Sequence, residues 1–458
     1  MQPFAIDLDD RAVAAARGGR VLASSPGVVF DGSTVEVAGT GAWHALRSHP
    51  TATSSRHLAS ALAQPEVSDR TVFLVAADVA HRLEAGKPTS DERVWVASPA
   101  LAAARGLGSM LGILRSLSLQ VGGFVDSATA AVAALELDRS AIVLEVGLHH
   151  VAATAVDTGA GMARRRRAVV SERGGLLDLY QAWLEFISTA MVKRTRFDPL
   201  HDAVTEQQLF DAIPALVRDA RSGTARAQLT RGTDSFEVEL SRDQFASAAQ
   251  PFNRDILRLV HELRPAGTPV ALVVPAFVDD IPGLREEIDQ FVGCDLVKLT
   301  DGFAAAALSV GDFSELAADE PVHLLRRLPL QAHAALAGMI SRERLGVRKA
   351  SGPPPTHLLF EGRALEIGSD AIVVGRAPGE ARSIALPDGL AGVSRRHCTF
   401  VRDGEQLVLL DHSTFGTFVN GERVAERVRV YAGDKVRLGE PGVELGLIAV
   451  GGSAAHPS

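Results

Sequence analysis

The chain has 458 residues, of which 46% are hydrophobic and 22% charged, and its formal net charge is −8. This length predicts two to four domains, and the acidic balance argues against a general nucleic-acid binder. The two cysteines, Cys294 and Cys398, have no metal-type spacing around them, which favours free thiols in a reducing compartment. No apolar run approaches the roughly 20 residues of a membrane span, and residues 1–4 do not open a signal peptide. We therefore expect a cytoplasmic protein, and the abundance of Ala, Arg and Gly over aromatic residues suggests a GC-rich bacterial genome.

Strand and helix patterns alternate through the first 312 residues, which predicts an α/β domain with helices covering the faces of its sheets. Strands are predicted at 4–8, 13–16, 20–23, 93–97, 141–146, 151–156, 236–240, 270–274 and 296–299. One long helix is predicted to follow the strand at 93–97 and to end at Leu119. Further helices are predicted at 127–135, 183–192, 241–263, 281–291 and 301–308. Gly18 and Gly19 predict a hairpin turn, and Ser241 is placed to cap the longest helix.

A proline-rich spacer marks the start of a separate domain. Residues 352–355 contain three consecutive prolines, which fit neither a helix nor a central strand. Upstream, residues 311–321 are rich in acids, and residues 330–344 predict a helix with basic residues at its end. The expected organisation is a first domain at 1–312, a connector with a helix at 313–355, a second domain at 356–450 and a disordered tail at 451–458.

Arginines and hydroxyl residues recur at three separated points in the second domain. These points are Gly375-Arg376, the run 393–398 (Val-Ser-Arg-Arg-His-Cys) and the run 413–421 (Ser-Thr-Phe-Gly-Thr-Phe-Val-Asn-Gly). Guanidinium groups offer phosphate a charge-assisted fork, and hydroxyls can complete the contacts to its oxygens. The three pieces, in this order and spacing, resemble the forkhead-associated (FHA) domain, a β-sandwich that reads phosphothreonine peptides.

The FHA resemblance implies a role for each matching residue. Phosphate contacts fall on Arg376, Ser394, Arg395 and Thr414. Support of the binding loops falls on Gly375, His397, Gly416 and the Asn420-Gly421 turn, with the histidine packed behind the loop. Phe415 stands where the family has an asparagine that holds the backbone of the bound peptide. The resemblance therefore implies intact phosphate capture and a weaker hold on the rest of the peptide.

The first domain resembles the actin and heat-shock-chaperone ATPase fold, which has two lobes built from mixed sheets and flanking helices. Ile6-Asp7-Leu8 before a hairpin resembles the first phosphate loop, and Ile142–Gly147 lies where the second should be. Residues 174–178 (Gly-Gly-Leu-Leu-Asp) resemble the segment that opens the chaperone family's upper lobe. Further matches lie at 25–29, 126–132 and 236–245. The ordered series covers nearly all of residues 3–312.

The glycines of the nucleotide loops are replaced in this chain. Asp9-Asp10 stands for Gly-Thr in the first loop, residues 148–150 (Leu-His-His) follow Gly147 in the second, and residues 274–276 (Val-Pro-Ala) replace the adenosine glycines. Phosphate approaches backbone N–H groups closely only where side chains are absent. The sequence thus predicts a domain that kept the fold without ATP hydrolysis, with no cofactor and no metal site. Asp7 and Glu145 retain the family's acidic positions, so ATP with hydrated Mg²⁺ stays an alternative.

Three other sequence patterns could each indicate a specific functional site. Asp7-x-Asp9-Asp10 also resembles the nucleophile strand of haloacid-dehalogenase phosphatases, but that family's lysine and distal acidic pair are not evident. His149-His150 could ligate a metal, although neighbouring residues in a strand or turn point to opposite faces. Residues 164–167 (four arginines) predict one strand of an exposed hairpin, with a nucleic-acid or acidic-partner patch as the alternative.

These observations favour a non-catalytic adaptor or scaffold. A phosphothreonine reader at 356–450 would bind a phosphorylated protein, and the degenerate actin- or chaperone-like domain would bind a second protein partner. No nucleic acid and no membrane insertion are expected. The alternatives are a chaperone-like ATPase regulated by phosphopeptide binding, and an assembly protein that self-associates as actin relatives do.

Overall fold

The structure is a computed structural model. It describes residues 3–31, 35–64, 66–264, 268–291, 294–311, 313, 322–345, 354–379, 382–387, 389–390, 392–404, 406–420, 422–424, 426–439 and 442–450. The predicted tail at 451–458, most of the acidic segment at 311–321, the spacer residues before Pro354 and the turn residue Gly421 lie outside the described residues.

The chain divides into two compact units. The first comprises Met1–Ile288 and Asp295–Glu343, and the second comprises Asp289–Cys294 and Arg344–Ser458. Residues 322–343 were expected in a connector, but they belong to the first unit because their short strands extend its sheets.

The strands up to residue 344 are β1 Phe4–Asp7, β2 Val13–Arg17, β3 Arg20–Ser25, β4 Val29–Asp31, β5 Val35–Ala38, β6 Thr53–Ser54, β7 Arg93–Ser98, β8 Gln120–Asp126, β9 Ala141–Val146, β10 Val151–Gly159, β11 Met162–Ser171, β12 Thr224–Arg231, β13 Asp234–Ser241, β14 Ala271–Pro275, β15 Asp295–Leu299, β16 Leu324–Leu325, β17 Arg327–Pro329 and β18 Ile340–Arg344. The helices are α1 Thr40–Trp43, α2 His57–Ala63, α3 Asp69–Leu83, α4 Ala104–Ser116, α5 Ser127–Ala133, α6 Leu176–Thr195, α7 Ala203–Ala220, α8 Arg242–Leu263, α9 Leu284–Ile288 and α10 Phe303–Leu308. Short 3₁₀ helices lie at Pro199–His201, Ala276–Asp280 and Ala334–Met339.

The two large sheets of the first unit repeat one pattern. The first sheet has the order β16-β8-β7-β1-β2-β3, and the second has β17-β11-β10-β9-β14-β15-β18. In each, three antiparallel strands are followed by two parallel strands that pair on the other side of the first. Helices α5 and α10 follow the last parallel strand of each set and pack in one shared apolar cluster. Mixed sheets covered by helices therefore build this unit, as the alternating pattern predicts.

Local signals in the sequence explain several of these elements. The hairpin between β2 and β3 turns at Gly18 and Gly19, which both have positive φ (58° and 80°). Ser241 caps α8, with its hydroxyl accepting from the Gln244 N–H while the Gln244 side chain accepts from the Ser241 N–H. This reciprocal capping box satisfies two N–H groups at the start of the helix. The predicted hairpin and the predicted cap are both confirmed.

Two helix predictions need correction. Residues 330–344 form no single helix: a 3₁₀ turn ends at Met339, and β18 follows at the edge of the second sheet. Here tertiary contacts override local propensity, since Glu343 forms ion pairs with Lys298 and Arg285. The helix expected at 281–291 shrinks to Leu284–Ile288, because Pro282 and the positive φ of Gly283 (84°) delay its start.

The second unit is all β. Its strands are β19 His357–Phe360, β20 Arg363–Glu366, β21 Ile372–Gly375, β22 Ser383–Ala385, β23 Cys398–Asp403, β24 Gln406–Asp411, β25 Thr417–Val419, β26 Glu422–Arg423, β27 Arg427–Val430, β28 Lys435–Leu438 and β29 Val443–Ile448. They form two sheets with the orders β20-β19-β29-β28-β25-β26 and β22-β21-β23-β24-β27. One apolar cluster contains residues of both sheets, including Leu358, Val436 and Leu445 from the first and Phe400 and Leu409 from the second. The unit is therefore a β-sandwich with a single core.

A buried ionic cluster ties the strand edge of the first sheet to α3. The Asp78 carboxylate lies 2.9 Å from His57 Nε2 and 2.9 Å from Arg82 Nη2, and the Asp78, His57 and Arg82 side chains are at most 1% exposed. Arg82 also donates to the carbonyl oxygen of Pro26 at 2.8 Å, which fixes the segment after β3. A buried charge that loses its partner is costly, so this cluster holds the segment in place.

We expect Asp78→Asn to lower the free energy of unfolding by about 3–5 kcal/mol, because it leaves the Arg82 guanidinium buried and unpaired. Denaturant unfolding of the purified protein measures this change. The matched control is Glu84→Gln, which removes an exposed carboxylate paired with His81 at 3.4 Å and should cost no more than about 1 kcal/mol. Equal losses in the two variants would contradict a structural role for the buried cluster.

Candidate functional site

The first two of the three arginine- and hydroxyl-bearing segments lie side by side in the second unit. The Arg376 N–H donates to the Ser394 carbonyl at 3.1 Å, and the Ala377 N–H donates to the Arg395 carbonyl at 3.0 Å. Gly375 permits this approach, because a Cβ added there would lie 2.1 Å from the Arg395 carbonyl oxygen. Any side chain at this position would force the two segments apart.

Ser394 connects these two segments to the third. Its hydroxyl oxygen accepts a hydrogen bond from the Thr414 N–H at 3.2 Å, while its carbonyl accepts from Arg376. The residues to which the resemblance assigns phosphate contacts are thus joined through one serine. The structure brings all four of them together: Arg376, Ser394, Arg395 and Thr414.

His397 supports the site from behind. It is fully buried, its Nδ1 accepts from the Ser394 N–H at 3.0 Å, and its Nε2 donates to the Gly416 carbonyl at 3.2 Å. Burial lowers the pKa of this imidazole, which favours the neutral form that both hydrogen bonds require. His397 therefore holds the second and third segments at a fixed separation and does not face a ligand.

The third segment is ordered by Asp411, which sequence reasoning missed. Its Oδ1 accepts from the Ser413 N–H at 3.0 Å and from the Thr417 hydroxyl at 2.7 Å. Although burial opposes the charge of this carboxyl, the hydrogen bonds from Thr417 and Ser413 lower its pKa overall. Gly416 turns the chain here with φ of 87°. An aspartate two positions before the Ser413-Thr414 pair was the signal in the sequence, since aspartate readily binds N–H groups two residues on.

Two further residues fall into different classes. Asn420 is structural: it adopts φ of 51°, donates to Asp434 Oδ1 at 2.8 Å and accepts from the Lys435 N–H at 2.9 Å. Phe415 is 59% exposed and lies directly after Thr414. The residue that replaces the family's asparagine is therefore an apolar side chain presented to solvent beside the site.

The guanidinium groups at this site are available to an anion. Within the described residues, no carboxylate pairs with Arg376 or Arg395, and Arg376 Nε is buried without a hydrogen-bond partner. Buried donors in folded proteins usually have partners, so an unpaired one here indicates a place for an acceptor from outside. The arrangement can bind a phosphate group through charge-assisted hydrogen bonds.

The second candidate site lies in the first unit, where the β1–β2 and β9–β10 turns face each other. Asp10 belongs to the first turn, and its Oδ1 accepts from the Leu148 N–H of the second turn at 2.8 Å. Within the first turn, the Asp9 N–H donates to Asp7 Oδ1 at 3.2 Å and the Arg11 N–H donates to Asp9 Oδ1 at 3.0 Å. Gly147 is covered, because an added Cβ would lie 2.5 Å from His150 Nδ1. The N–H groups of Asp9, Arg11 and Leu148 are thus taken by aspartate side chains.

Arg11 occupies the space between these turns and β15. Its Nη2 lies 2.7 Å from Asp301 and 3.4 Å from Asp9, and its guanidinium carbon lies 4.5 Å from the ring centroid of Phe277. Arg11 was not among the residues predicted for this site, although its place directly after Asp9 and Asp10 was a signal in the sequence. The guanidinium places a fixed positive charge inside the cleft.

The predicted cleft carboxyls, Asp7 and Glu145, line a common small cavity. Burial, followed by the charge of Asp9, raises the pKa of Asp7 to about 8. Burial, followed by the charge of Asp126, also raises the pKa of Glu145 to about 8. Glu145 Oε2 accepts from the Ala100 N–H at 2.8 Å. In the part of the chain that the structure describes, no group of three or more His, Cys, Asp or Glu side chains is arranged to hold a metal ion.

The remaining sequence candidates have ordinary structural roles. His149 Nε2 lies 2.9 Å from the Ser55 hydroxyl, and burial, followed by the charge of Arg56, lowers the pKa of His149 to about 4. The arginines at 164–167 lie in a hairpin strand, β11, as predicted, and Arg164, Arg166 and Arg167 are exposed, although β11 also pairs with β17 over Met162–Arg164. Arg165 is bound to the buried Asp126 at 2.6 Å, and Arg167 pairs with Glu262. These pairs leave little free charge for a nucleic acid.

Comparison with known families supports the assignment of the second unit. Residues 372–439 match the family model of the FHA domain. An FHA domain implies phosphothreonine-peptide binding and protein–protein interaction. No curated protein sequence matches the chain. Among the described residues, no helix combines the length and apolar character needed to cross a membrane.

The raised pKa of Asp7 makes a prediction about pH. A carboxyl that binds its proton more tightly in the folded state favours folding at low pH, and this contribution is lost as pH rises from about 4 to about 8. We expect Asp7→Asn to be more stable than wild type by an amount that grows over this range, reaching on the order of 2–4 kcal/mol near pH 8.

Denaturant unfolding at several pH values measures this difference. The control is Asp91→Asn, which changes an exposed carboxyl and should leave the pH dependence unaltered. If the free energy of unfolding depends on pH in the same way for wild type and Asp7→Asn, the raised pKa of the buried Asp7 carboxyl is wrong.

Proposed function

We propose that the protein is a phosphothreonine-dependent adaptor without catalytic activity. The FHA domain binds a phosphorylated protein, and the first unit binds a second protein partner. The observation that carries this proposal is the convergence of three loops at Ser394, with the Arg376 and Arg395 guanidiniums lacking carboxylate partners among the described residues. A phosphate carries close to two negative charges near pH 7, so its addition by a kinase switches binding on.

In this proposal the phosphate contacts come from Arg376, Ser394, Arg395 and Thr414. The Ser394 hydroxyl is held by the Thr414 N–H, and both guanidiniums extend from segments that share backbone hydrogen bonds. Such pre-ordering reduces the entropy lost on binding. Phe415 offers an apolar surface in place of an amide, so selection of the peptide beyond the phosphorylated residue is shallow.

The first unit, in this proposal, is a degenerate actin- or chaperone-like ATPase fold. The repeated order of five strands, each set followed by a helix in the shared core, supports this assignment. The aspartate side chains that take the N–H groups of Asp9, Arg11 and Leu148 support the loss of ATP binding. With these N–H groups taken, the two turns leave no cradle for a polyphosphate.

The phosphate site is tested by Arg376→Ala. Losing a charge-assisted contact of about 1.5–3 kcal/mol should weaken binding roughly ten- to a hundred-fold. Calorimetry of the full chain with a phosphothreonine peptide selected from a degenerate library measures the affinity, and the unphosphorylated peptide provides the baseline. The matched control is Arg363→Ala, an exposed arginine on β20 outside the three loops, which should bind as wild type does. Equal binding of phosphorylated and unphosphorylated peptides would overturn the reader function.

The absence of ATP binding is tested separately. Ligand-linked stabilisation requires a concentration well above the dissociation constant, so millimolar MgATP should leave the melting temperature of wild type unchanged. A clear upward shift that disappears in Asp7→Ala would instead support the alternative, a chaperone-like ATPase regulated by phosphopeptide binding.

A further inference from the structure

The first unit contains a cavity of about 360 Å³ bounded by α1, α6, α7 and the 3₁₀ turn Ala276–Asp280. We call it the aromatic cavity, because its walls include Trp43, Tyr180, Trp183, Ile213, Val217 and Phe277. Small-molecule sites typically measure roughly 300–1,000 Å³ and combine apolar walls with a few polar groups. The aromatic cavity has this size and this composition.

The walls are held in place by contacts among themselves. The Trp43 ring lies 5.7 Å from Tyr180 edge to face and 4.9 Å from Phe210. The Tyr180 ring lies 5.8 Å from Trp183, whose Nε1 donates to the Phe245 carbonyl at 3.2 Å. Rigid aromatic walls resist collapse, so the cavity is preformed.

The polar groups at the cavity favour an acceptor or an anion. Arg11 Nε is buried and has no hydrogen-bond partner among the described residues, whereas its Nη2 pairs with Asp301. Burial raises the pKa of Tyr180 to about 12, so its hydroxyl stays protonated and can donate. Arg218 is exposed at the rim, and no carboxylate pairs with it within the described chain.

The carboxylates at the cavity are already matched by arginines. Asp301 pairs with Arg11, and Asp280 pairs with Arg221. Arg11 is shared by Asp301 and Asp9, so the arginine at the cavity that no described carboxylate pairs with is Arg218 at the rim. A cationic ligand would meet no free carboxylate here, and a neutral apolar ligand would leave the buried Arg11 donor unsatisfied.

We propose that the aromatic cavity binds a small amphipathic molecule with one ring-sized apolar body and a single carboxylate-like anionic head. The body packs against Trp43 and Trp183, and the head pairs with the guanidinium groups of Arg11 and Arg218. A nucleotide fits this site less well, because the N–H groups of Asp9, Arg11 and Leu148 at the neighbouring turns, which a polyphosphate would need, already donate to aspartate side chains. This inference is independent of the phosphothreonine site.

Two tryptophans in the walls of the aromatic cavity can report ligand binding through their fluorescence. Of the chain's three tryptophans, Trp43 and Trp183 line the cavity, while Trp95 packs elsewhere against Phe313. We expect 4-phenylbutanoate to change the tryptophan fluorescence of the full chain saturably, with one site by calorimetry. Its neutral amide should bind about tenfold more weakly, since it lacks the charge-assisted contact.

Two substitutions at exposed positions locate the site without disturbing the core. Thr40→Phe places a ring at the cavity mouth and should abolish binding of both probes. Arg218→Met should weaken binding of the anion about tenfold and leave the affinity for the amide unchanged. The control is Arg105→Met, an exposed arginine on α4 that does not line the cavity and should bind as wild type does.

Four results would overturn the proposal. The first is no saturable signal with either probe at millimolar concentration. The second is equal affinity for the anion and the amide in wild type. The third is unchanged binding in Thr40→Phe, which would show that the probes bind elsewhere. Displacement of the anion by equimolar MgATP would also overturn it, because the cavity would then be a nucleotide site.

Discussion

An ionised side chain that leaves water needs a partner, and the two units of this chain meet that requirement differently. In the first unit the partners come from the chain itself: Arg11 lies between Asp9 and Asp301, and Arg82 binds Asp78. In the second unit no described carboxylate matches Arg376 or Arg395. The first unit thus pairs Arg11 and Arg82 with carboxylates of its own, whereas the second leaves the charges of Arg376 and Arg395 for an anion from outside.

Aspartate side chains hold together the cleft between the β1–β2 and β9–β10 turns by accepting from loop N–H groups. A loop N–H group binds phosphate because nothing else satisfies it. Here Asp7, Asp9 and Asp10 each accept from such a group, and Asp10 reaches across to the Leu148 N–H of the opposite turn. These three aspartates thus supply the acceptors for the N–H groups of Asp9, Arg11 and Leu148. The two turns stay tied together, although burial of these carboxyls raises the pKa of Asp7 and of Asp10.

Local signals made much of the architecture predictable, because each acts within a few residues. Gly18 and Gly19 set a turn, and Ser241 with Gln244 sets the start of a helix. The three FHA-type segments could be recognised because separated motifs all resembled the same family, whose model matches residues 372–439. The strand at the end of the segment 330–344 could not be predicted in this way, since β18 depends on pairing at the sheet edge and on the ion pairs of Glu343.

Contacts between distant segments were out of reach of sequence reasoning. The aromatic cavity joins residues as far apart as Trp43, Tyr180 and Phe277, and no local pattern marks them as neighbours. The ion pair that fixes the Arg11 guanidinium in the cleft is made with Asp301, which lies 290 positions away in the sequence. Such sites form where the two repeated halves of the first unit meet, so they require the tertiary structure itself.

The two proposed sites respond to different signals. Phosphopeptide binding depends on a covalent charge and is set by a kinase, whereas occupancy of the aromatic cavity depends on the concentration of a small anion. If the two sites share a coupling free energy, linkage requires that each ligand change the affinity of the other by the same factor. A coupling of about 1.4 kcal/mol corresponds to a tenfold change, which a titration of phosphopeptide with and without the small anion can resolve. The protein would then bind its phosphorylated partner according to two inputs, and neither input requires ATP hydrolysis.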